Sequence, residues 1–284
     1  MAIYSGLRRF TEPNQIFPDH LFISAHKFED AKYGENPYQK AAVYKLDGYS
    51  GMADWPQIYG EQKSFNNHLD VGEAYQILDN FLDHPAATTV KHGHISGFAF
   101  APTLAEAYTF AHECDPEADF GGTAVFNREV DAETAKLVGK NSDVVDSSVY
   151  TEIVIAPGYS PEALNILKAK QKRKMRIIYG KGRSDYPYDI KMHEGLLLVQ
   201  ETPHELKRLD TNSLTYPTKT KVDDETLAKL LAAWNIVRKV RSNGIVIGDG
   251  KISGGTLNYF WTLGVASFRK RNGATKISLE NAGE

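Results

Sequence analysis

With 284 residues, 42% of them hydrophobic and 24% charged, the chain has ample material for a buried core, in one large domain or two of ordinary size. A formal net charge of -3 gives no global basic field for nucleic acid or an anionic membrane, so any phosphate on a ligand must be met by a few placed cations. One cysteine, Cys114, excludes an internal disulfide framework and makes a reducing cytoplasm the natural home; Met1 to Arg9 lacks an apolar signal core, and no run approaches the ~18 apolar residues of a membrane helix.

Residues 1–28 mix Pro13, Pro18 and charges with scattered aromatics and read as an irregular lead-in. Gly34, Asn36 and Pro37 supply turn chemistry before a strand at Ala41 to Tyr44. A loop carrying Lys32, Tyr33 and Asn36 either reaches a ligand or is simply solvated. Ser64 to Asp70 leads into a helix expected to start at Val71, with Asp70 as its cap and Glu73 three residues on. Val71, Ala74, Ile77, Leu78, Phe81 and Leu82 fall on one face at helical spacing, a core face.

Ala87 to Val90 is small and β-branched between Pro85 and Gly93, which predicts a short buried strand with Lys91 and His92 at its end. A turn is expected next, and then a helix opened by Thr103 with Glu106 at capping-box spacing. Ligand sites of α/β folds use this layout of strand, cation, imidazole, glycine turn and helix, because the strand's carboxyl end faces the binding crevice. A surface lysine beside a histidine is the plain alternative.

The double glycine in Asp119 to Asn127 demands a tight turn or a close approach. A helix at Asp131 to Leu137, a buried strand at Glu152 to Pro157 and a helix start at Ser160-Pro161 follow. Lys168 to Lys174 reads as a solvated helix end, with a phosphate site as the alternative; Met175 to Tyr179 and Leu196 to Gln200 read as strands. The alternation over residues 30–200 argues for a three-layer α/β domain with a largely parallel sheet. A polar junction at 203–220 precedes a long helix at Asp223 to Val240, with Leu227, Leu230, Leu231, Trp234 and Val237 in one stripe. A strand at Ile245 to Ile247, a turn at Gly248 to Gly250 and a last segment opened by Ser253 to Thr256 complete the reading. The divisions expected are a lead-in at 1–28, a first subdomain at 29–202 and a partial second subdomain at 203–284.

No Gly-x-Gly-x-x-Gly or Walker loop is present, which disfavours dinucleotide and nucleoside triphosphate chemistry. A single cysteine excludes the zinc deaminase ligand set. His92 and His94 would share one side of an extended strand, but no third metal ligand is signalled, so no metal is expected.

Seven segments in order, Lys32 to Gln39, Ser64 to Asn67, Val90 to His92 with Gly97, Phe120 to Gly122, Glu152 to Pro157, Gly195 to Gln200 and Ala233 to Val246, are together similar to successive motifs of the AICAR formyltransferase family. That family is the transformylase half of the bifunctional purine-biosynthesis enzyme. The resemblance implies a cytidine-deaminase-like α/β fold, a homodimer with active sites at its interface, and formyl transfer from the cosubstrate 10-formyltetrahydrofolate to the amino group of an aminoimidazole carboxamide ribonucleotide. It further implies catalytic roles for Lys91, His92 and Asn243. Lys32, Tyr33, Gly34, Tyr38, Phe120, Gly121 and Glu152 fall on substrate-binding positions.

Lys32 stands where the family usually has arginine, keeping the charge but losing the bidentate fork. Tyr38 replaces a histidine, His94-Ile95 replaces Asn/Ser-Pro, and the Gly-Gln-x-Ser-Arg pattern is lost around Gly254. The amino-terminal cyclohydrolase domain and the usual carboxyl-terminal segment of the family have no counterpart in the 284 residues, so ring closure to the purine is not expected of them. Two other readings stand beside formyl transfer: a non-catalytic member that binds a nucleotide or partner, and a formyl or acyl transferase acting on a secondary-metabolite substrate.

Overall fold

Val90 is the inward residue of a strand buried on both faces, and the architecture follows from covering those faces. The computed structural model describes residues 17–78, 84–139, 150–170, 175–180, 186–201, 222–237, 244–248 and 251–256. A hairpin of β1 (Ala25–Ala31) and β2 (Ala41–Leu46) precedes a 3-10 turn, β3 (Gln57–Tyr59) and α1 (Phe65–Leu78). Next come β4 (Ala86–Lys91), β5 (His94–Phe100), α2 (Leu104–Cys114), β6 (Gly122–Phe126), α3 (Ala132–Leu137), β7 (Thr151–Ala156), α4 (Pro161–Lys170) and β8 (Arg176–Tyr179). The hairpin β9 (Tyr188–His193) and β10 (Leu196–Glu201), α5 (Asp224–Val237), β11 (Gly244–Gly248) and β12 (Lys251–Thr256) follow.

Three layers result, in an α/β fold. The central sheet has eight strands in the order β11-β12-β5-β4-β6-β7-β8-β3. Side chains alternate across it with period two. Val90, Val125, Ile153 and Ile155 pack with Val71, Ala74 and Leu78 of α1 and Ile236 of α5. Ala87, Ala124, Phe126 and Val154 pack on the other face with α2, α3 and α4 through residues such as Leu104, Tyr108, Ala135 and Leu167.

The expectation of a largely parallel sheet does not hold: among the described strand pairs of this sheet, five are antiparallel, and β6-β7 and β7-β8 are parallel. Those pairs are joined through α3 and α4, the crossovers that parallel pairing requires. The Lys91 turn instead returns directly as β5, so β4-β5 is an antiparallel hairpin, and β6 also runs antiparallel to β4. A strand therefore stands between Lys91 and the α2 helix, in place of a simple turn. Beyond the boundary expected at residue 202, β12 pairs with β5, so the sheet itself continues across it.

Smaller differences have local causes. The α1 helix begins at Phe65, because the Ser64 hydroxyl accepts from the Asn67 N–H at 3.3 Å and the Asn67 side-chain oxygen accepts from the Ser64 N–H at 3.0 Å. Asp70 is thus inside the helix and not its cap. The first strand starts at Ala25, within the stretch that reads as lead-in, β9 has no counterpart among the expected strands, and Ser253 to Thr256 belongs to β12. On α5, Ile236 is fully buried, whereas Leu230 and Trp234 of the expected core stripe are 53% and 49% exposed. The capping box expected at Thr103 and the helix start expected at Ser160 are in place, and Asp131, expected as the first residue of a helix, caps one that begins at Ala132. Phe81 and Leu82, the 203–220 junction, the helix end beyond Val237 and the segment from Leu257 lie outside the described residues.

Gly97 marks the closest approach of β5 to α2. A Cβ there would lie 1.9 Å from the Ala111 carbonyl oxygen, which is backbone and cannot swing aside. Gly97→Ala is therefore expected to lower stability by ~2–3 kcal/mol as overpacking. Urea unfolding of the variant checks this, and an unchanged midpoint would contradict the close packing of β5 on α2.

Candidate functional site

Lys91 and His92 sit at a two-residue hairpin turn. His92 has φ 53° and Gly93 φ 71°, the paired positive angles of a type I′ turn, whose twist matches the flanking strands. Glycine adopts such angles at no steric cost, and histidine is among the residues that tolerate them. The His92 side chain is exposed, while Lys91 is half-buried. Asn243, the third expected catalytic residue, lies outside the described residues.

The Lys91 ammonium donates to the Phe120 carbonyl and lies 6.0 Å from the centre of the Phe120 ring, at the outer limit of a cation–π contact. Gly121 has φ 77°, and a Cβ on it would come within 3.9 Å of the Lys91 nitrogen. The positive φ is what favours glycine at 121, and it turns the 119–122 loop beside the lysine. Gly122 cannot carry a side chain either, since its Cβ would lie 2.9 Å from an oxygen of the Asp119 carboxyl. Asp119 is buried and pairs with His112 at 2.7 Å; burial pushes its carboxyl up in pKa, and the His112 hydrogen bond opposes this.

Two strands over from Lys91, Glu152 at the start of β7 accepts from the Asn67 amide at 3.0 Å and lies 3.6 Å from the Arg176 guanidinium. Arg176 is buried at the start of β8 and also donates to the carbonyls of Glu61 and Gln62, at 3.2 and 3.0 Å. This satisfies a charge that burial alone would make costly. Asp70 of α1 is 4% exposed and accepts from the Gly93 N–H at 2.6 Å. Burial pushes its carboxyl up to about 7; the Gly93 bond and the Lys91 charge pull it down, and Glu152 and Glu73 push it up further. The cluster stands at the carboxyl end of β4 but at the amino ends of β6, β7 and β8.

The Lys32 to Gly34 loop borders this cluster. The Tyr33 carbonyl accepts from the Phe65 N–H at 2.9 Å at the start of α1, and Tyr33, Glu152 and Arg176 all act electrostatically on Tyr150. Tyr150 stacks obliquely on Phe120, with centroids 6.0 Å apart. Gly34 is needed because a Cβ there would lie 2.7 Å from that of Gln39. Lys32 forms an ion pair with Glu61 at 2.8 Å, and Tyr38, 84% exposed, makes no part of the cluster.

Lys91, Phe120, Gly121, Glu152 and Tyr33 are therefore gathered at one end of the sheet; Tyr38 is not. Tyr150, Arg176 and Glu61 join them without having been singled out by motif or spacing, and Asp70, expected as the cap of α1, joins them from inside that helix. A carboxylate inside a helix and an arginine in an otherwise apolar strand are the signals that identify Asp70 and Arg176, since each needs a partner to be tolerated there. A cavity of about 690 Å³ lies elsewhere, walled by Phe28, Tyr44, Met52, Trp55 and Val71, and none of the described site residues lines it. Among the described residues, no group of three or more His, Cys, Asp or Glu is placed to hold a metal.

A family model described as "AICARFT/IMPCHase bienzyme" matches residues 1–258. The "Bifunctional purine biosynthesis protein PurH" of Thermoanaerobacter sp. (strain X514) is 40% identical over 269 residues, 92% of this chain and 50% of that protein. The proteins of the same name from Petrotoga mobilis and Caldicellulosiruptor saccharolyticus are 36% identical over 271 residues and 33% over 283, covering 94% and 95% of this chain and 50% and 52% of theirs. The chain thus spans about half the length of the curated relatives it matches.

Proposed function

The chain belongs to the AICARFT/IMPCHase bienzyme family, and from that premise we propose that it transfers a formyl group from 10-formyltetrahydrofolate to the amino group of an aminoimidazole carboxamide ribonucleotide. The observation that carries this reading is the convergence of residues from five separate motifs, Tyr33, Asn67, Lys91, Phe120-Gly121 and Glu152, at one end of the sheet.

An aromatic amine weakened by a neighbouring carboxamide must attack the formyl carbon. It sheds a proton, an oxyanion develops on the former carbonyl oxygen, and the carbon–nitrogen bond to the folate breaks as that nitrogen is protonated. Imidazole suits both proton transfers near neutral pH, and the exposed His92 can reach a ligand without rearrangement of the core. An ammonium has three donors, and the Phe120 carbonyl takes one on Lys91. The others can stabilise the oxyanion. Phe120, half-exposed beside the lysine, offers an apolar face to a flat ring system. Asn243 would join these residues as the third catalytic group. Release of tetrahydrofolate, followed spectrophotometrically with purified protein, tests the proposal; no turnover with any formyl donor, alongside retained nucleotide binding, would replace it with the non-catalytic reading.

Lys32 is the proposed phosphate cation, and its Glu61 partner must yield to a phosphate. Lys32→Ala is expected to weaken nucleotide binding by about 1.5–3 kcal/mol, the range for a charged hydrogen bond, with little change in kcat. Glu61→Gln should act in the opposite direction, because it removes the competing carboxylate. Calorimetric titration of both variants checks the pair of signs.

The proposal includes a homodimer. Leu230 and Trp234 of α5 and Met192, Leu196 and Leu198 of the β9-β10 hairpin are exposed, and apolar surface of this kind is normally buried against a partner. Light scattering at tens of micromolar is expected to give twice the chain mass; a monomer would remove the dimer from the proposal.

A further inference from the structure

Asp is a poor residue for a helix interior, yet α1 carries Asp70 there, almost fully buried, with its oxygen 2.6 Å from the Gly93 N–H. In a two-residue hairpin the N–H of the second turn residue has no place in the strand ladder, so it needs an acceptor from elsewhere. Asp70 supplies that acceptor. Glu73, one helical turn further on, also borders the turn: its Cγ lies 4.0 Å from the position of a Cβ on Gly93. The hydrogen bond therefore ties α1 to the two-residue turn that follows Lys91 and contains His92.

We propose that Asp70 is a positioning residue: its carboxylate clamps the His92-Gly93 turn to α1 and so fixes the direction in which Lys91 and His92 are presented to substrate. The catalytic consequence rests on the formyl-transfer reading, whereas the clamp itself does not. Turn geometry matters because a misplacement of about 1 Å in a reacting group can cost ~100-fold in rate. His92 holds a left-handed conformation that histidine tolerates, and the clamp adds a tertiary contact that holds the turn there.

The groups acting on the carboxyl are Lys91 from β4, Glu152 from β7, and Glu73 and the Gly93 N–H. Lys91 favours the ionised acceptor and the two glutamates oppose it, so the clamp strengthens as pH rises through about 7. A charged acceptor makes the stronger bond.

The test uses the full chain labelled with 15N-glycine. In the wild type, the Gly93 amide resonance is expected to move with pH around 7. In Asp70→Asn, which keeps an acceptor oxygen but does not titrate, the amplitude of that movement should collapse. A wild-type resonance that does not move, or one whose movement, after subtraction of the part removed by His92→Ala, is equal in Asp70→Asn, overturns the clamp. Turnover supplies the second readout: Asp70→Ala should lower kcat by ~100-fold with KM for the nucleotide within about twofold, and Asp70→Asn should recover most of the loss while flattening the pH dependence. A folded Asp70→Ala with kcat within twofold of wild type overturns the positioning role. If Asp70→Ala does not fold, the pH profile of Asp70→Asn decides it, an unaltered profile overturning the role. If the wild type shows no turnover, the formyl-transfer reading fails by itself, and the amide titration still decides the clamp.

Discussion

His92→Ala is expected to lower kcat for formyl transfer by ~100- to 10,000-fold, the range that a positioned proton-transfer group contributes. Nucleotide binding should persist, because the phosphate contact assigned to Lys32 and the Glu152-Asn67-Arg176 network do not involve the imidazole. The exposure of His92 makes the variant informative: truncating an exposed side chain opens no cavity, so lost turnover cannot be attributed to lost core packing. Alanine at a positive φ adds only a local cost at the turn. Steady-state kinetics with binding measured separately check the prediction, and a His92→Ala enzyme within tenfold of wild type would remove His92 from the proton-transfer role.

Asp70 carries the second large effect, in stability. Its folded carboxyl is pushed up to about 7 from the ordinary 3.8, so between those values the folded state holds a proton that the unfolded state has released. Stability from this group is fully present below about pH 4 and is lost as pH rises through about 7. At ~1.4 kcal/mol per pKa unit, the loss has a ceiling of about 4 kcal/mol. Asp70→Asn stays neutral throughout. The difference in unfolding free energy, variant minus wild type, should rise with pH across this window and level off above it. Urea titrations of both proteins at pH 4.5, 6 and 8 read that difference and cancel the contributions of all other groups. A flat difference would mean that the buried carboxyl is not strained. A buried charge that lowers stability while it anchors a turn is the kind of trade that functional sites make.

Much of the site is legible in the order of the amino acids. Small and β-branched residues between Pro85 and Gly93 place a buried strand ahead of Lys91, and the Phe120-Gly121-Gly122 run signals a tight turn or a close approach. Both occur: Gly121 is left-handed, with φ 77°, and a Cβ on Gly122 would lie 2.9 Å from the Asp119 carboxyl and 3.0 Å from the Val90 carbonyl oxygen. Which side chains meet at the ends of these segments is not legible there, because the partners lie far apart along the chain. Lys32 has the charge to meet a phosphate, yet Glu61, 29 residues away, holds it. Asp70 has the spacing to Glu73 of a capping box, but Ser64 and Asn67 cap the helix earlier in the chain and draw Asp70 into its interior. The stripe on α5 is periodic, but periodicity does not say which edge of a broad apolar face turns inward; here Ala233 and Ile236 do, and Trp234 remains half-exposed.

By itself the sequence determined the helix starts at Thr103, Asp131 and Ser160, the strands β4, β7 and β8, and the α/β class, because these rest on hydrogen bonds and periodicities confined to a few neighbouring residues. The tertiary structure alone decided the direction of the strands and the company of the charged groups. After Lys91, a hairpin and a crossover are compatible with the same local pattern, and the choice falls to the pairing of β5 with β4 and β12 and to its packing on α2. That choice makes His92-Gly93 a two-residue turn, leaves the Gly93 N–H outside the ladder, and brings it to the buried Asp70 carboxylate of α1.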